Sequence, residues 1–136
     1  MQLTLAAIFA AAASASAIAR RNDTGSYSVT DFYASCIPHS TLCSYQFEVD
    51  AATNCTLLLP GPDILPAVAL TGCEDPAYSW SVATTDDGGL ELSITTAATA
   101  GNLTGVHDIE SDELEIQNNG ATSSQLYTGP LDFTAA

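Results

Sequence analysis

A small, single-domain, all-β fold, an antiparallel β-barrel or sandwich held by two disulfides, is what this sequence predicts. Three observations carry the prediction. Apolar and polar residues alternate with a period of two in one segment after another, clusters of Gly, Pro, Asn and Asp separate those segments, and the cysteines form an even set of four. No stretch beyond the first nineteen residues shows sustained helical spacing.

The chain opens on an apolar run, Leu3 to Ala13, that is too short to span a bilayer and fits the core of a signal peptide. Small residues at Ala15-Ser16-Ala17 and Ala17-Ile18-Ala19 suit signal peptidase, so residues 1–19 read as a leader. Arg20 and Arg21 follow as a dibasic site for a kexin-type processing protease, and residues 22–136 read as the secreted domain. Strands then follow in order. Tyr27 to Tyr33 is the first. In the second, Cys43, Tyr45, Phe47 and Val49 alternate with Ser44, Gln46, Glu48 and Asp50, which gives one apolar and one polar face. Cys55 to Leu59 and Pro66 to Leu70 come next. Tyr78, Trp80 and Val82 alternate with serines, and Leu90, Leu92 and Ile94 alternate with Glu91, Ser93 and Thr95. Leu103 to Ile109, Glu113 to Gln117, and Gln125 to Thr134 with a break at Gly129-Pro130 complete the set. Turn residues divide them at Ile37 to Ser40, Pro60 to Asp63, Asp86 to Gly89, Ala100 to Asn102 and Asn118 to Gly120.

The cysteines, Cys36, Cys43, Cys55 and Cys73, favour disulfides over a metal site, because there is no C-x-x-C pair and histidine occurs only at His39 and His107. Three pairings are possible. Cys36 with Cys43 and Cys55 with Cys73 is preferred, since each bond then staples neighbouring strands; loop closure gives them about 2.5 and about 3 kcal/mol.

Charge excludes whole classes of partner. Both cationic side chains precede residue 22 and all 16 acids follow it, so the 115 residues left by removing 21 from 136 carry a formal charge of −16. Phosphate backbones and anionic lipid headgroups are bound chiefly through cations, so nucleic acid and membrane are not expected partners. A carboxylate surface without cations also repels itself, and protonation toward about pH 4 is expected to favour the fold.

The stretch Val29 to Val49, VTDFYASCIPHSTLCSYQFEV, resembles the opening of the Alternaria major-allergen family. The resemblance continues in the Tyr45-x-Phe47-x-Val49 strand, a cysteine pair placed like Cys55 and Cys73, an aromatic strand at Trp80 and the ending Tyr127 to Phe133. It implies a small secreted fungal β-barrel protein, in a family that includes elicitors of plant hypersensitive responses. Some members dimerise through an extra cysteine near the mature N-terminus. None lies between Asn22 and Ser35, so this chain is expected to be a monomer or a non-covalent dimer. The family supplies no catalytic residues to carry over.

Chemistry read from the residues themselves is sparse. Asp108, Glu110 and Asp112 would share one face of a continuous strand, but Glu113 stands where an EF-hand loop needs glycine, so a solvated acidic face is expected and no metal. Asp31, Asp86, Asp87 and Asp132 are nominees for a carboxylate-pair hydrolase, and no spacing selects a pair. No G-x-S-x-G elbow occurs; His39 reads as a loop residue and His107 as a strand residue with its ring at the surface. Trp80 and the tyrosines read as core rather than ligand pocket. Three glycosylation sequons occur, at Asn22, Asn54 and Asn102, and Asn102 beside Gly101 is the favoured acceptor. The expectation is a secreted, non-enzymatic protein without cofactor that engages a host extracellular protein. The alternatives are a carrier of small phenolic ligands and a hydrolase of cell-wall sugar.

Overall fold

The structure is a computed structural model that describes residues 25–61, 63–98, 101–120 and 122–136. The leader at 1–19, the pair Arg20 and Arg21, and the Asn22 sequon lie outside the described residues.

Among the described residues ten strands follow one another: β1 (Tyr27–Cys36), β2 (Leu42–Val49), β3 (Thr53–Pro60), β4 (Val68–Gly72), β5 (Tyr78–Thr84), β6 (Leu90–Ala98), β7 (Gly101–Ile109), β8 (Leu114–Asn119), β9 (Thr122–Tyr127) and β10 (Phe133–Ala135). They form two antiparallel sheets. One has the order β3-β2-β1-β9-β8, with β10 also paired to β1, and the other the order β4-β5-β6-β7. Period-two patterning produces this arrangement directly: Cys43, Tyr45, Phe47 and Val49 are all buried on β2, as are Leu90, Leu92 and Ile94 on β6. The two inner faces meet in one core. Trp80 of β5 sets its ring edge-on to Phe47 at 5.1 Å and to Tyr45 at 5.8 Å, both on β2. Phe32 lies 4.9 Å from Tyr127 and 5.4 Å from Phe133. Each such side chain taken from water stabilises the fold by roughly 1.5 to 3 kcal/mol.

Both preferred disulfides form, Cys36 with Cys43 and Cys55 with Cys73, but only the first staples neighbouring strands. The first clamps the β1–β2 hairpin, whose register pairs those two residues. The second crosses from β3 to the residue just after β4 and so ties one sheet to the other.

A closed barrel does not form; neither sheet closes on itself. On one side the sheets meet at the Cys55–Cys73 bond, beside which the Glu74 amide donates to the Asn54 carbonyl (2.9 Å). On the other, three-residue β10 approaches β7, and the residue that follows it supplies one ladder-like bond, from the Ala136 amide to the Val106 carbonyl (3.0 Å). A similar contribution comes from the Gly25 amide to the Thr104 carbonyl (3.0 Å). A strand so short cannot carry a continuous ladder across the gap. The approach is nonetheless close, because a Cβ on Gly105 of β7 would strike the Ala135 carbonyl oxygen.

Two local features depart from simple alternation. Asp31 has φ 53°, and the register against β2 shifts between Thr30 and Tyr33. This bulge moves the inward phase from Val29 to Phe32, so Asp31 turns out to solvent and β1 runs on to Cys36. The acidic run is not a continuous strand either. β7 ends at Ile109 and a 3-10 turn, Ser111–Glu113, intervenes before β8, so Asp112 does not share a strand face with Asp108.

Candidate functional site

The outward face of β1, β2 and β3 is a ladder whose rows the register defines. Pro60 pairs with Leu42, whose carbonyl accepts from the Ile37 amide (2.9 Å); Leu58, Ser44 and Ser35 form the next row; Thr56, Gln46 and Tyr33 the third. Large apolar groups stand out on it: Leu58 is 56%, Tyr33 50% and Ile37 40% exposed. Leu58 is exposed because the Cys55 side chain faces inward, so Leu57 and Leu59 do as well and Leu58 points out. One row further along, Asn54, Glu48 and Thr30 lead into a shallow groove of about 280 Å³ that is also lined by Asp31 and Glu74. Glu48 accepts there from the Thr30 hydroxyl (3.3 Å).

A second acidic region surrounds the β5–β6 turn, where Asp86, Asp87, Glu91, Asp108 and Glu110 line a depression with Thr85. The Thr85 hydroxyl and the Gly89 amide both donate to Asp87, and these bonds, the hydroxyl's first, hold its carboxyl below the usual 3.8. Among the described residues no group of three or more His, Cys, Asp or Glu is arranged to hold a metal ion.

Of the hydrolase nominees the structure brings Asp31 and Asp132 together, but through the backbone: the Asp31 amide donates to Asp132 Oδ1 (3.2 Å). Asp86 and Asp87 stay in the β5–β6 turn on the other sheet. His39 is exposed in the β1–β2 turn at φ 60°, as a loop residue should be. His107 is a correction. Its ring faces inward rather than to the surface, stacked on Phe133 at 3.8 Å, and its Nε2 is buried without a hydrogen-bond partner. It pairs with Leu92, whose side chain is wholly buried, and partners on adjacent strands share a face.

Trp80, Tyr45 and Phe32 are fully buried, so the aromatic strands build the core. Asn102 is exposed as the second residue of β7, and Asn54 is exposed on β3 one residue before the Cys55–Cys73 bond. Sequence reasoning did not single out Tyr33, Leu58 or Ile37, although the run Leu57-Leu58-Leu59 in a strand obliges at least one leucine to face outward. Comparison with protein-family models gives no match, and no curated protein matches the chain. No helix among the described residues is long and apolar enough to cross a membrane.

Proposed function

We propose that this chain is an exported, non-enzymatic interaction protein that acts on a host extracellular protein, as its resemblance to the Alternaria major-allergen family implies. The observation that carries the reading is the filled interior: the two sheets bury Trp80, Tyr45 and Phe32 completely, and recognition is left to the exterior. Two disulfides in so small a domain suit an oxidising compartment. The apolar leader supplies the route of export, Arg20 and Arg21 the processing site, and exposed Asn102 the glycan acceptor.

Infiltration of the purified secreted protein into leaf tissue tests this. Cell death or a defence response is expected, and an inert protein overturns the reading. Capture from plant apoplastic fluid, with a reduced and alkylated control, should then recover a partner only with the oxidised form. Glycosidase treatment of the secreted protein should lower its mass, and Asn102→Gln should abolish that shift.

A further inference from the structure

We infer that the outer face of β1, β2 and β3 docks a polypeptide segment that presents apolar side chains next to lysine or arginine side chains. The inference names the partner chemistry of the exported binding protein proposed above, and so rests on that reading. Three rows of this face, from Pro60–Leu42–Ile37 to Thr56–Gln46–Tyr33, contain no charged residue in a chain that has 16 acids. The apolar groups are continuous from Leu58 to its β3 neighbour Pro60, about 7 Å along the strand, and across the row to Leu42 and Ile37, while Tyr33 stands two rows from Ile37 on the same face, beside Gln46. A contiguous exposed apolar patch rimmed by polar residues marks a binding surface.

Charge selects the occupant. At one end the patch runs into the groove of Asp31, Glu48 and Glu74. No lysine or arginine follows Arg21, so no such cation of the folded domain is available to pair with these carboxylates. A second copy of the domain brings the same acids and leaves that end of the face uncompensated; an anionic partner is repelled outright. A segment with apolar groups over the Leu58 and Tyr33 rows and a cation over the Glu48 row satisfies both halves. In an extended conformation the two kinds of side chain are two to four residues apart, the separation of one or two rows.

The test is a calorimetric titration of the secreted protein with a synthetic decapeptide that has leucines in one half and lysines in the other. Two control peptides replace the leucines by serine or the lysines by glutamate. The leucine–lysine peptide is expected to bind saturably, and each control at least tenfold more weakly. The double variant Y33S/L58S should raise Kd at least tenfold, and so should E48Q/E74Q. The pair D86N/D108N, which removes the same charge from the other sheet, should leave Kd within twofold. Near-ultraviolet circular dichroism identical to the parent verifies that the substituted surface residues leave the fold intact.

Absence of saturable binding overturns the proposal. Equal weakening by D86N/D108N does too, since attraction then follows net charge alone. A concentration-dependent dimer in sedimentation that L58S abolishes also overturns it, because the face is then occupied by a second copy. None of these results depends on a host, so a failed titration counts against the docking face and an inert leaf infiltration against the host-directed role.

Discussion

Three tyrosine hydroxyls tie this molecule together from inside its walls. Tyr27 donates to the Leu103 carbonyl (2.6 Å) and lies 2.6 Å from the Thr96 hydroxyl, both in the opposite sheet. Tyr45 donates to the Pro66 carbonyl (2.7 Å), and Tyr127 to the Pro130 carbonyl (2.6 Å). Burial pushes the Tyr45 hydroxyl well above the usual 10.0. Burial, with Glu113 adding to it, pushes Tyr127 up to about 12. A group whose folded value is raised gives stability that is present below its unfolded value and lost as pH climbs through the folded one. The melting temperature should therefore decline from about pH 10 upward. Tyr127→Phe should cost about 1 kcal/mol at neutral pH, from the lost hydrogen bond, and flatten that alkaline decline. Asp87 works in the opposite direction: its lowered value means stability present above 3.8 and lost as pH falls below it. Asp87→Asn should flatten the acid limb of a melting curve series between about pH 2 and pH 5. The Tyr27 and Tyr45 bonds are not visible in the sequence, because each hydroxyl reaches a distant carbonyl chosen by tertiary packing.

At the level of elements, patterning located the strands well and their phase less well. Every strand expected from alternation forms, and the Gly129-Pro130 break separates β9 from β10 as anticipated. The bulge at Asp31 left only a faint trace, since its signal is one aspartate that tolerates positive φ and no glycine marks the place. The β2–β3 turn is similar: Asp50 and Ala51 adopt φ 53° and 52° without glycine, fixed by the Ser28 amide donating to Asp50 Oδ1 (2.8 Å). Sheet closure was not legible, because it depends on how far three-residue β10 reaches toward β7. That contact is the place to test. Gly105→Ala drives a methyl into the Ala135 carbonyl oxygen and should destabilise the protein by about 1 to 3 kcal/mol, read as a lower denaturant midpoint. Replacing Cys55 and Cys73 by alanine should cost about 3 kcal/mol, and more than replacing Cys36 and Cys43, because the closed loop is longer, with a separation of 18 rather than 7.

For the whole molecule the governing quantity is charge of one sign. The same composition makes trypsin a probe of processing: once Arg20 and Arg21 are removed, the denatured and reduced chain should remain uncut. The two sides of the sheet junction also differ in kind, a covalent bond at Cys55–Cys73 and only hydrogen bonds, from the Ala136 and Gly25 amides and the Tyr27 hydroxyl, on the other. The molecule is thus bound like a book, with a sewn spine and a loose fore-edge. Its easiest excursion is a partial parting of the covers, in which the Ala136 and Gly25 protons should trade with deuterated solvent long before the Glu74 proton beside the spine.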